Sequence, residues 1–183
     1  MNPKQIKNKN LEPDEYFGED IYEPPSNGYI AATLAISLIL NFIPFHEDVA
    51  VFRPDFVAIV IIYWAVNYPH KMGMSIAFCM GLMMDVANAG ILGQHALAYC
   101  IAVYLTLILG RRLRIFSLVQ QAPQVGFILL VMQIVIALVA ASGGTDLPAW
   151  PYYFAAVTGS LLWLPVSLML RAPLRQRSDP NAL

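Results

Sequence analysis

Five polar side chains could do chemistry or specific binding in a chain that is otherwise strongly apolar: Arg53, Asp55, Asp85, Gln94 and His95. Asp85 lies inside an apolar run, where a carboxylate costs about 2.5–3.5 kcal/mol to place in lipid, so it must face protein or water and have a partner. Arg53 and Asp55 precede one apolar run, and Gln94 and His95 begin another. If these runs are antiparallel helices, all five side chains lie toward one surface and form a polar cluster.

The residue types for catalysis are present, but their spacing does not match a catalytic motif. Two acids and a histidine could bind a metal, yet no H-E-x-x-H pair occurs, and His46 and His70 are far apart. No serine lies in a nucleophile elbow, and no glycine-rich phosphate loop is present. Cys79 and Cys100 lie in apolar runs and suit packing. We therefore predict no catalytic, cofactor or metal site. For the cluster, a structural network is the favoured interpretation, a partner-docking surface is the second, and catalysis is the least favoured.

The composition requires a membrane. Hydrophobic residues make up 58% of the 183 residues and charged residues 13%, against about 25% charged in soluble domains. We predict an all-α integral membrane protein with six transmembrane helices, because a span needs about 20 apolar residues. An acidic, disordered cytoplasmic tail (1–28) precedes a six-helix transmembrane domain (29–170), and a basic cytoplasmic tail (171–183) follows it. The predicted spans are 29–45, 54–68, 72–89, 94–110, 123–141 and 152–170.

The positive charges give the orientation. With six spans and a cytoplasmic N-terminus, ten of the eleven Lys and Arg residues fall on the cytoplasmic side and only Arg53 falls outside. Both termini are therefore predicted to be cytoplasmic. Arg111, Arg112 and Arg114 form a short connector that we expect to lie against the anionic inner leaflet, or to contact a cytosolic protein. The net charge of −1 gives no indication of nucleic-acid binding.

Small residues recur every four positions in the third predicted helix. Gly73, Ala77 and Gly81 lead to Asp85 along one face. Small residues at this spacing let another helix approach closely, so the stripe predicts a helix-packing interface with Asp85 at its outer end.

These residues together resemble the MreD family of bacterial rod shape-determining membrane proteins, over about residues 30–172. The resemblance rests on the segments Arg53-Pro54-Asp55, Tyr63-Trp64, Pro69-His70-Lys71, Gly81-Leu82-Met83-Met84-Asp85, Leu92-Gly93-Gln94-His95-Ala96-Leu97 and Arg111-Arg112-Leu113-Arg114.

The resemblance implies a non-enzymatic part of the elongasome in the bacterial cytoplasmic (inner) membrane. It implies an MreC-like membrane partner and, through that partner, the MreB filament, a RodA-type glycosyltransferase and a penicillin-binding transpeptidase. Leucine at Gly81 or Asp85 is then expected to weaken partner binding. The family's fold is similar to the substrate-binding subunits of energy-coupling-factor transporters. The alternative is thus a subunit that binds a small ligand or lipid precursor in a cavity lined by Asp85, His95 and Gln133.

Overall fold

The computed structural model describes residues 24–44 and 52–174, and their main elements are six α-helices. The predicted tails lie outside the described residues except for 24–28 and 171–174, and so does the segment 45–51. The helices are α1 Asn27–Asn41, α2 Phe56–Asn67, α3 Met74–Ala87, α4 Gln94–Ile115, α5 Leu118–Ser142 and α6 Phe154–Arg171, with short 3-10 helices at Trp150–Tyr153 and Ala172–Leu174.

Three segments are long and apolar enough to cross a membrane: α4, α5, and α6 with the 3-10 helices at its two ends. Because they are so apolar, the chain is a membrane protein. The helices α1, α2 and α3 have 15, 12 and 14 residues, and α2 rises only about 18 Å at 1.5 Å per residue. Protein surrounds this short helix, since every side chain from Val57 to Val66 is buried.

The helix α2 is the centre of the bundle and packs against α1, α4 and α6. The remaining neighbours are consecutive pairs, α3 with α4, α4 with α5, and α5 with α6. Its Trp64 ring is fully buried and donates from Nε1 to the Thr33 hydroxyl of α1 at 3.0 Å. Trp163 of α6 is also fully buried. The successive helices run in opposite directions, so the start of α2, the end of α3 and the start of α4 share one end of the bundle.

The predicted boundaries are wrong at the junction of α4 and α5. The helix α4 continues past Gly110 to Ile115, so the three arginines lie on its last turns and not in a connector. The helix α5 begins at Leu118, five residues before the predicted start at Pro123. Ser117 and Gln120 form a capping box that starts α5 early, and a proline within the helix interior is tolerated there.

One glutamine closes this junction. The Nε2 of Gln121 donates to the carbonyl oxygens of Leu113 and Phe116, at 2.9 and 3.0 Å. Its Oε1 accepts from Nε1 of Trp163 at 3.2 Å. Because the last carbonyls of a helix lack intrahelical donors, this amide satisfies the end of α4 and fixes α5 and α6 against it.

Candidate functional site

The buried carboxylate of Asp85 caps the neighbouring helix α4. Its side chain is 0% exposed, and it accepts hydrogen bonds from the backbone nitrogens of Gly93 and His95, both at 2.8 Å, and of Ala96 at 3.4 Å. The N-cap residue Gly93 has no side chain to offer and adopts φ +96°, which glycine reaches without strain. Asp85 thus supplies from α3 the oxygens that an N-cap side chain normally provides, at the positive end of the helix dipole.

The imidazole of His95 extends this network toward open space. Its Nδ1 lies 2.7 Å from Oδ1 of Asp85. A carboxylate only accepts hydrogen bonds, so Nδ1 carries a proton, and in the neutral ring Nε2 is then an acceptor. His95 lines the cavity described below. A molecule in that cavity would therefore contact the imidazole of His95 and not the carboxylate of Asp85.

Asp55 joins three helices. It is the N-cap of α2, where Oδ1 accepts from the backbone nitrogen of Ala58 at 3.0 Å and from Nδ2 of Asn41 at 2.9 Å. Its Oδ2 accepts from the hydroxyl of Tyr99 at 2.6 Å. Pro54, where the predicted span 54–68 begins, precedes the helix and is not its first residue. Asn41 and Tyr99 were not predicted as members of the cluster.

A cavity of about 420 Å³ opens among these residues at the same end of the bundle. Asp85 is not part of its lining, contrary to expectation, whereas His95 and Gln133 are. Gln133 is only 6% exposed, and its Oε1 has no hydrogen-bond partner among the described residues. The lining comprises Asn41, Arg53, Pro54, Asp55, Met84, Asn88, His95, Met132, Gln133, Ile136, Ala149, Pro151, Tyr152 and Ala155.

The small-residue stripe packs within the chain. A Cβ placed on Gly81 would lie 2.3 Å from the Cα of Ala96, so α3 approaches the backbone of α4 more closely than any other residue type allows. Ala77 is buried, but a Cβ on Gly73 would have no neighbour within 4 Å. Gly81 therefore sets the α3–α4 distance that brings Asp85 to Gly93.

The other predicted residues lie in three different settings. Arg53 is half-buried and lines the cavity with Asp55. Gln94 is the first residue of α4, but its side chain takes no part in the hydrogen bonds to Asp85. Arg111, Arg112 and Arg114 lie about 26 Å or more from Gln94 along α4, at the opposite end of the bundle. Among residues 24–44 and 52–174, no three His, Cys, Asp or Glu side chains converge as a metal site would require.

These features define an all-helical membrane protein in which Asp55 and Asp85 organise one end of the bundle around an open cavity. Residues 28–172 match the family model for rod shape-determining protein MreD, and the chain belongs to that family. The rod shape-determining protein MreD of Haemophilus influenzae is 28% identical to it over 142 residues, which cover 78% of this chain and 88% of that protein. No solved structure matches the chain. The likeness to energy-coupling-factor subunits stays a prediction.

Membership implies a role in determining rod shape. The family is one of shape-determining structural proteins and is not a known enzyme family.

Proposed function

We propose that this protein is a non-enzymatic scaffold of the rod-shape complex, with all six helices spanning the bacterial cytoplasmic membrane and both termini in the cytoplasm. In this proposal it binds an MreC-like partner and couples that partner to side-wall peptidoglycan synthesis. The MreB filament, the RodA-type glycosyltransferase and the penicillin-binding transpeptidase are reached through that partner. The observation that carries the proposal is the cavity at the end of the bundle that holds Arg53, Asp55 and His95.

The cavity suits a polypeptide segment better than a purely apolar helix. It offers the charged side chains of Arg53 and Asp55, and the buried Oε1 of Gln133 lacks a donor. A buried acceptor without a donor costs about 1–3 kcal/mol, and an entering N–H or O–H group would remove that cost. A single-span partner has backbone and polar side chains just beyond its membrane span, at the depth of this opening.

Photo-crosslinking in living cells tests the docking site. A photoreactive residue at Asn88 or Ala149, which are exposed and line the cavity, is expected to crosslink the MreC-like partner. The photoreactive amino acid placed instead at Phe78 or Leu161, which are exposed apolar positions away from the cavity, is expected to give no such crosslink. Equal crosslinking from all four positions would contradict a cavity-specific interface.

A blocking substitution tests whether the cavity is needed. Ala149→Trp places a large ring at the cavity rim without entering the core, and it should abolish both co-purification of the partner and rod shape. Val86→Trp is the matched control, because Val86 is an exposed apolar residue at the same end of the bundle that does not line the cavity. Normal rods and normal partner recovery with Ala149→Trp would overturn the proposal.

The second candidate function is binding of a small ligand or lipid precursor, and the unpartnered oxygen of Gln133 in the cavity favours it. A small molecule that co-purifies in native mass spectrometry, and is lost in Gln133→Leu but retained in Gln124→Leu, would support this function. Gln124 also has a buried Oε1 without a partner but does not line the cavity. Recovery of the protein without any bound molecule would contradict ligand binding and favour the scaffold function.

A further inference from the structure

The charged residues divide between the two ends of the bundle. Among residues 24–44 and 52–174, the acids are Asp55, Asp85 and Asp146, and all three lie at the cavity end. The opposite end, where α4 and α6 finish, has no Asp or Glu in the described residues. Its basic residues are Lys71, Arg111, Arg112, Arg114 and Arg171. Cations at this end therefore have no described acidic side chain nearby to neutralise them.

The three arginines of α4 differ in what they contact. Arg112 stacks over the ring of Phe116, with its guanidinium carbon 5.7 Å from the ring centroid. Arg114 is exposed and donates from Nε to the carbonyl oxygen of Gly110 at 3.3 Å. The side chain of Arg111 makes no hydrogen bond or ion pair with any residue of the described part. Arg111 and Arg114 are one turn apart, whereas Arg112 points away from Arg114 around the helix.

A continuous apolar surface runs up to this pair of arginines. Tyr104, Ile108, Arg111 and Ile115 follow one another at intervals of three or four residues, so they share a face of α4. All four are exposed, and Ile115 is 84% exposed. On a helix long and apolar enough to cross a membrane, we expect this face to meet hydrocarbon along most of its length and Arg111 to lie at the level of the lipid phosphates.

We propose that Arg111 and Arg114 bind the phosphate of an anionic phospholipid, whose acyl chains lie along Tyr104 and Ile108. Two guanidinium groups one turn apart can hold the non-ester oxygens of a phosphate by charge-assisted hydrogen bonds. The adjacent exposed apolar face distinguishes a lipid from free phosphate, because only a lipid has chains to cover it. This site is independent of the cavity and of the partner proposed for it.

Native mass spectrometry of the full-length purified protein tests the site. The probes are phosphatidylglycerol and phosphatidylcholine with identical acyl chains, and inorganic phosphate alone. The wild-type protein should retain phosphatidylglycerol in preference to phosphatidylcholine. The double variant Arg111→Gln, Arg114→Gln should lower phosphatidylglycerol retention about 30-fold, since each basic side chain at an anionic surface contributes about fivefold.

Arg112→Gln is the matched control for the single variant Arg111→Gln, because each removes one charge from the same turn, but Arg112 is engaged with Phe116. It should keep most of the lipid preference. Equal losses in Arg112→Gln and in the single variant Arg111→Gln would show a diffuse charge effect and overturn the site. Retention unchanged in the double variant, or full displacement of the lipid by inorganic phosphate, would overturn it too. A melting temperature measured without added lipid checks that each variant is folded.

Discussion

The hydroxyl of Tyr99 lies 2.6 Å from Oδ2 of Asp55, and this hydrogen bond joins the first half of α4 to the start of α2. Tyr99 is fully buried, so no water replaces the donor if the hydroxyl is removed. We expect Tyr99→Phe to lower the free energy of unfolding by about 1–3 kcal/mol, because a hydrogen bond to a charged group is lost. Thermal unfolding in detergent measures the loss.

Tyr104→Phe is the control for this prediction. Tyr104 is on the same helix but 52% exposed, and its hydroxyl makes no hydrogen bond to the described residues. We expect a change within about 0.5 kcal/mol. If the two phenylalanine variants melt at the same temperature, the Tyr99–Asp55 contact does not stabilise the fold.

Gly81→Ala should be among the most damaging single-methyl changes in the chain. The added Cβ would meet the Cα and N atoms of Ala96 at 2.3 and 2.5 Å, and backbone atoms cannot turn aside as a side chain can. We expect at least about 1–3 kcal/mol of destabilisation from overpacking. Gly73→Ala, where no atom lies within 4 Å, should be nearly neutral. Comparing folded yield and melting temperature of the two variants tests the close approach.

The same geometry changes how leucine at position 81 must be interpreted. A leucine there would separate α3 from α4, so loss of partner binding in that variant would follow from misfolding. The cavity-rim variants are better probes of the partner because they leave the α3–α4 contact intact.

Asp85→Ala should destabilise the protein more than Asp85→Asn. Alanine leaves the backbone N–H groups of Gly93 and His95 and the His95 ring without their acceptor, at a cost of about 1–3 kcal/mol for each buried donor. Asparagine keeps one acceptor oxygen and should lose less. Fluorescence-detected size-exclusion chromatography after graded heating ranks the variants. Asp146→Asn, at an exposed acid, should match the wild type, and an Asp85→Ala protein as stable as Asp146→Asn would refute the capping role.

Gln121→Leu should loosen the end of α4. It removes the donors to Leu113 and Phe116 and the acceptor for Trp163, so the last turn should open more often. Trypsin, which cuts after arginine, should then cleave at Arg111, Arg112 or Arg114 several times faster. Gln124→Leu, which removes a buried oxygen that has no partner, should leave the cleavage rate unchanged. Equal rates in both variants would count against the role of Gln121.

The sequence predicted six helices because apolar runs and their polar breaks are local features. It also placed Asp55, Asp85 and His95 at one end, since alternating helix direction follows from the number of runs. It did not predict Tyr99 or Asn41, which bond to Asp55 from 44 and 14 residues away. A tyrosine in an apolar run looks like ordinary packing, and only the packed structure reveals what its hydroxyl contacts.

Two further differences between the sequence predictions and the structure also have physical causes. Hydropathy falls at Arg111, which suggested a connector, but arginine is a good helix former and its side chain extends away from the axis. The spacing of Gly81 predicted a close helix approach without naming the helix. The partner is α4, the next helix in the chain, and a pattern of small residues carries no information about which neighbour it meets.

The cap that Asp85 provides to α4 also bears on how the protein is made. Its donors lie only 8 to 11 residues further along the chain. At a synthesis rate of about 5–20 residues per second, the ribosome delivers them within roughly two seconds of the carboxylate itself. The carboxylate can therefore receive its hydrogen bonds inside a nascent α3–α4 hairpin, if the two helices leave the translocon together. The costly charge never has to enter lipid alone.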